Sequence, residues 1–317
     1  MTIAPSIPGP TTPAWVNFGR YLRDPLGMME GLRRDYGPVA YVPFPGQHGF
    51  FFVSDPVLVR RVLVDDAAMF TKGRALRAAK RLLGDGLLTS EGADHLLALR
   101  SEDGSRLLSD EEIRDEAITL MLAGHETTAQ ALTWTWYLLG RSDRAWDRLS
   151  AELLTVLGGR SPQLADYSDL TYTQAVFRES MRLYPPVWAL ARIASVPYML
   201  GDHPVPADGT IVMSQWVMQR RPEHFAEPRR FRPERWLEDD PPAPGTYFPF
   251  AAGPRMCIGE RFAMLEGTMI LATLAQRWQV LTPAAEPVAD ARFTLRPRGG
   301  MRAVTVCAPT RVFAGMR

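Results

Sequence analysis

The chain has 317 residues, of which 46% are hydrophobic and 22% charged. This is an ordinary globular mixture that excludes a collagen-like chain, a disordered tail and a coiled-coil rod, and its length suits one large domain or two ordinary ones. A formal net charge of +1 gives no reason to expect nucleic acid or an anionic membrane as partner.

Two cysteines, Cys257 and Cys307, cannot build a disulfide framework. They point to a reducing compartment or to a thiol kept for its chemistry. No basic-then-apolar leader opens the chain and no stretch reads as a membrane span, so a cytoplasmic protein is expected.

Residues 1–13 read as a Pro/Thr/Ser arm. A helix is predicted from Asp24-Pro25, with Asp as N-cap and Pro in the first turn, to Gly37. Val39–Phe44 and Phe50–Val53 predict a strand pair joined through a Pro-Gly turn, and Ser54-Asp55-Pro56 caps a helix through Leu63. Ser109 followed by Glu112 is a capping box, and the helix it opens meets no stop before Gly140. Within it, Gly124 and the pair Thr127-Thr128 predict a weakened, polar centre. Further helices are predicted over 144–157, 171–183 and 258–278, with Phe262, Leu265, Ile270 and Leu274 as the apolar face of the last. Strands are expected near 191–194 and 210–213, irregular structure over 220–254, and weak strands at the end.

One segment carries chemistry: Phe250-Ala-Ala-Gly253-Pro-Arg255-Met-Cys257-Ile-Gly259. A lone cysteine is most often a buried, inert thiol. Here it stands before a helix in a Gly/Pro loop, where N–H groups and the helix dipole favour a thiolate, where Gly253 and Gly259 permit close backbone approach, and where Arg255 offers a partner to an acidic group. Cys307, in a terminal strand, reads as an inert core thiol.

The segment resembles the haem-binding signature of the cytochrome P450 family. Glu179-Ser-Met-Arg182 matches that family's Glu-x-x-Arg helix, Phe231–Trp236 the segment whose arginine completes a Glu–Arg–Arg triad, and Ala123–Thr128 its oxygen-activating stretch. The resemblance covers nearly the whole chain and implies a single domain, mainly α-helical with a small β-rich part, in two blocks, 1–95 and 97–317. It implies haem b with Cys257 as iron ligand, Phe250 packed beside the sulfur, and Arg255 and Arg192 paired with the propionates. Glu126 and Thr127 become the proton-delivering pair, and Glu179, Arg182 and Arg235 are structural.

It further implies a monooxygenase acting on an apolar small molecule. Electrons would come from a separate ferredoxin or flavoprotein, docked on a basic face that includes Arg255 and Arg261. Residues 86–95 look like the lead into one family helix and 97–104 like the segment before the central helix. The two are fused, so the helices of the lid and distal wall are missing, and His95 is the remnant of a propionate contact. That fusion leaves two other readings open: a non-catalytic haem-binding remnant, and a peroxide-driven, peroxidase-like protein.

Overall fold

A computed structural model describes residues 7–46, 49–74, 76, 78, 88–89, 109–282 and 285–308. His48, His95, Arg100 and the fused junction lie outside the described residues. The chain divides into two compact units, each assembled from separated stretches: Met1–Glu126, Ala189–Met218 and Ala251–Met256 in one, Thr127–Trp188, Gln219–Phe250 and Cys257–Arg317 in the other.

The first unit opens with helix α1 (Ala14–Arg23), an element beyond those predicted. Pro13 precedes it without a side-chain cap, and Trp15 and Leu22 remain exposed, so neither a cap nor a buried stripe announces it. It is held instead by Asn17, wholly buried, whose amide donates to the Pro43 carbonyl at 2.9 Å. Helix α2 (Pro25–Tyr36) forms as predicted. The Asp24 carboxylate accepts from the Gly27 N–H at 2.9 Å, and Gly37 (φ +89°) ends the helix.

Strands β1 (Val39–Val42) and β2 (Phe50–Val53) pair antiparallel, with Ala40 opposite Phe52. Helix α3 (Pro56–Arg60) is shorter than expected, because a π-helical turn takes over at Arg61–Asp65. The sheet is completed by β3 (Phe70–Lys72), β4 (Leu190–Ala194) and β7 (Thr210–Met213) in the order β1-β2-β7-β4-β3, with β2 and β7 parallel. Phe52, Val53, Ile211 and Met213 are fully buried in it. A small hairpin, β5 (Tyr198–Leu200) with β6 (His203–Val205), and the short helix α7 (Gln215–Met218) belong to the same unit.

Helix α4 (Asp110–Leu139) is 30 residues long and opens on the capping box. Ser109 Oγ accepts from the Glu112 N–H at 3.2 Å, and the Ser109 N–H donates back to the Glu112 carboxylate at 2.8 Å. The predicted weakening at its centre is absent: the helix runs unbroken through Gly124 and Thr128. Glycine there costs about 1 kcal/mol against alanine, which a helix anchored by its packed C-terminal half absorbs.

That half belongs to the second unit. Trp134 is fully buried, stacks on Tyr184 with centroids 3.9 Å apart and donates its indole N–H to the Leu295 carbonyl at 2.9 Å. Helices α5 (Asp143–Leu157) and α6 (Thr171–Leu183) pack Trp146, Leu149, Leu153, Tyr172 and Val176 into one core with Leu271 and Ala275 of α8 (Glu260–Ala275).

The buried face of α8 is not the predicted one. Phe262 (67% exposed) and Leu274 (42%) face outward, whereas Met264, Gly267, Thr268, Leu271, Ala272 and Ala275 are buried. The small residues win because the helix lies close against α6. A Cβ at Gly267 would come within 2.4 Å of the Phe177 ring. The helix also ends before Trp278, which starts β8 (Trp278–Leu281). Strand β8 pairs with β11 (Val304–Cys307), and β9 (Ala289–Ala291) with β10 (Leu295–Pro297). Cys307 is exposed on that ribbon, contrary to its expected place in a core. Among the described residues no helix is long and apolar enough to cross a membrane.

Candidate cofactor-binding site

The cysteine loop is shaped by its backbone. The Cys257 N–H donates to the Phe250 carbonyl at 2.9 Å and closes the loop, and a 3₁₀ turn over Gly253–Arg255 places the Met256 N–H 2.9 Å from the Gly253 carbonyl. Two residues of the loop have positive φ, Ala251 (+62°) and Gly253 (+73°). Gly253 answers a double demand, because a Cβ there would also stand 2.0 Å from the Leu63 carbonyl oxygen. Gly259 is different: its φ of −85° suits any residue, and a Cβ would make ordinary contact with Cys257 Sγ at 3.8 Å.

Cys257 is exposed as a residue and stands three residues before α8. Desolvation of its sulfur pushes the thiol above its ordinary pKa, and the Glu260 carboxylate pushes the same way. The Gly259 N–H pulls it down without prevailing. The expected stabilisation of a thiolate by the helix start is therefore only partial, and a cation bound at the sulfur is what would draw off its proton.

Phe250 is half-buried and packs on a cluster of Ala131, Phe177, Met181 and Met264. Its carbonyl thus ties the cysteine to residues of α4, α6 and α8.

The Glu–Arg–Arg triad is assembled as the motifs imply. Glu179 is fully buried and accepts five hydrogen bonds: from Arg182 Nε (2.9 Å) and Nη2 (2.8 Å), Arg235 Nε (3.1 Å), the Arg232 N–H (3.0 Å) and the Trp236 indole (2.9 Å). The remaining Arg182 donors go to the carbonyls of Gln219, Pro228 and Arg230. A buried ion pair repays its desolvation only when its remaining donors and acceptors are satisfied, which holds for Glu179 with Arg182, whereas Arg235 Nη2 is buried with no hydrogen-bond partner among the described residues. Sequence reasoning missed the Trp236 and Arg232 contacts to Glu179, although both residues lie in the segment that supplied Arg235.

Arg192, on β4, is 5% exposed and donates to the Ala191 carbonyl at 3.1 Å. Arg255 directs Nη1 and Nη2 to the carbonyls of Ala67 (2.9 Å) and Phe70 (2.8 Å). Both are placed by backbone contacts within the first unit. Glu126 and Thr127 are half-buried neighbours on α4, beside exposed His125 and buried Thr128. Among the described residues no three His, Cys, Asp or Glu side chains group as metal ligands. A lone thiol is chemically suited to an iron whose other ligands a porphyrin supplies, and Cys257 would be the residue to hold such a group.

Comparison with known proteins agrees with this layout. The family model for cytochrome P450 matches residues 88–301. Cyclooctatin synthase of Streptomyces melanosporofaciens is 41% identical over 210 residues, covering 66% of this chain and 45% of that protein. Pentalenene oxygenase of Streptomyces avermitilis is 41% identical over 199 residues, covering 62% and 43%. The chain thus spans about half the length of these curated relatives. Among solved structures, CYP175A1 of Thermus thermophilus superposes with a TM-score of 0.76 at 26% identity, covering 94% of this chain and 99% of that one. A six-coordinated cytochrome P450 from the same species gives 0.71 at 27% identity, covering 90% and 99%. With the cysteine loop, the buried triad and the long central helix all in place, and the family model matching most of its length, the chain belongs to the cytochrome P450 family.

Proposed function

We propose that the chain binds haem b through Cys257 and acts as a monooxygenase on an apolar small molecule, with electrons from a separate ferredoxin or flavoprotein. The carrying observation is the Cys257 thiol, presented before α8 on a loop whose closure is tied to the packed core through Phe250. When bound, the haem supplies dioxygen activation, and a thiolate ligand favours cleavage of the O–O bond.

The protein's part is placement. Phe250 and Gly253 shape the loop, Gly259 leaves space beside the sulfur, and Arg192 and Arg255 hold propionates. The Glu126 carboxylate and Thr127 Oγ1 hold and pass protons from α4. Arg255 and Arg261 contribute positive charge to the face that docks an acidic donor. The names of two relatives, pentalenene oxygenase and cyclooctat-9-en-7-ol 5-monooxygenase, point to a carbocyclic, largely hydrocarbon substrate.

The test is a carbon monoxide difference spectrum of the reduced, haem-supplied protein. The strongly red-shifted Soret band of a thiolate-ligated carbonyl is expected, with its loss in Cys257→Ala. A wild-type spectrum without that band, or a variant that retains it, overturns the ligand assignment. In Thr127→Ala the band persists while oxygen uptake yields peroxide in place of product, and full coupling in that variant removes the proton role. A second reading, direct use of peroxide, draws on the exposed apolar side chains of Leu120, Met121 and Leu122 on α4. Turnover with peroxide and no electron donor would establish it.

A further inference from the structure

Helix α6 ends against Pro185-Pro186. The carbonyls of Met181 and Arg182 would ordinarily accept from the N–H groups four residues on, and those residues are the two prolines, which have none. Gln219 supplies the missing donors. Its side chain is wholly buried, and Nε2 donates to the Met181 carbonyl at 3.0 Å and to the Arg182 carbonyl at 3.1 Å. Its Oε1 accepts from the Phe248 N–H at 3.1 Å, and its own carbonyl accepts from Arg182 Nη1 at 2.7 Å.

The amide thereby joins two elements. One is the end of the helix that carries Glu179 and Arg182. The other is the stretch of chain that, two residues after Phe248, offers the Phe250 carbonyl to the Cys257 N–H.

We propose that Gln219 is a positioning residue for Cys257: it transmits the fixed end of α6 to the cysteine loop and so sets where the sulfur stands. The inference rests on the reading of Cys257 as iron ligand. A primary amide is the one neutral side-chain group that can donate two hydrogen bonds and accept another at once, which is the set this position demands. Leucine at 219 would leave two buried carbonyls and the Phe248 N–H without partners.

The test compares Gln219→Leu with Leu149→Ala, a cavity in the α5 core that touches none of these groups, in two measurements. In the haem-free protein, hydrogen exchange of the Cys257 amide, nine residues from Phe248, is expected to quicken about tenfold in Gln219→Leu at a matched margin of stability, and not in Leu149→Ala. In the haem-loaded protein, Gln219→Leu is expected to move carbonyl absorbance from the thiolate band to an unshifted one, while Leu149→Ala keeps the wild-type ratio. Gln219→Asn, which retains the amide and is too short to reach both sides, carries the same test if the leucine variant does not fold. Unchanged Cys257 exchange and an unchanged band ratio overturn the proposal, as does an equal shift in Leu149→Ala. If wild-type protein shows no thiolate band, the ligand reading fails, and the exchange measurement alone decides whether Gln219 orders the loop.

Discussion

The two halves of α4 are one helix by backbone and two different objects by side chain. From Ala131 to Leu139 the helix buries Ala131, Trp134, Tyr137, Leu138 and Leu139. From Ile113 to Leu122 it exposes Ile113, Leu120, Met121 and Leu122, of which Met121 is 73% exposed. Its backbone hydrogen bonds are local and continue regardless of what covers the surface, whereas burial of a leucine needs another element against it. The second half has those elements in α5, α6 and α8. Hydrophobic surface exposed over the first half is the kind that invites association or an open approach to ligands.

The contrast can be broken at its strongest point by Trp134→Ala, which removes a stacked ring and a buried hydrogen bond. A loss of about 3–5 kcal/mol is expected by chemical denaturation, and a loss below about 1 kcal/mol would mean that the second half is not anchored as described. Gly267→Ala probes the α6–α8 contact that sets the buried face of α8. Forcing a methyl group against the Phe177 ring should cost about 1–3 kcal/mol, and the loss should shrink in a Phe177→Leu background.

A pH series separates a smaller contribution. The Arg160 guanidinium, followed by the Gln163 N–H, holds the Asp166 carboxyl down at about 2 from the ordinary 3.8. A group depressed on folding adds stability that is present above its unfolded pKa and lost as pH falls through the folded one. The protein should therefore lose stability between about pH 4 and pH 2 through this group. Asp166→Asn should flatten that limb of the melting-temperature profile, and an unchanged profile would show that the pair contributes nothing. The smallest effect is expected from Leu120→Ser in the exposed half, within about 0.5 kcal/mol of wild type. Loss on the scale of Trp134→Ala would reveal a cover over that half.

Much of the chain is legible from sequence wherever the signal is local. Asp24-Pro25, the Ser109–Glu112 box, Gly158 after Leu157 and the prolines after Leu183 mark helix ends because the groups they satisfy, or fail to satisfy, are within a turn. The motif residues Glu179, Arg182, Arg235 and Cys257 are legible as a pattern. Helix α1 is not, since its one anchor is Asn17 reaching a carbonyl 26 residues away. The buried face of α8 is misjudged when apolar size is read as burial, and a close helix contact selects small residues instead. Gln219 carries no positive signal, although the two prolines that orphan the carbonyls of Met181 and Arg182 announce that some donor has to come from elsewhere.

Several helix starts and stops, the family and the positions of its motifs follow from the order of amino acids alone, because capping, proline chemistry and motif spacing act over a few residues. Three-dimensional packing was needed to settle which faces are buried, that Cys307 is exposed, that Glu179 gathers five donors, and that an amide at 219 joins a helix end to Phe248. In each of these the free energy of a side chain depends on groups far along the chain, which reach it only when the whole has folded.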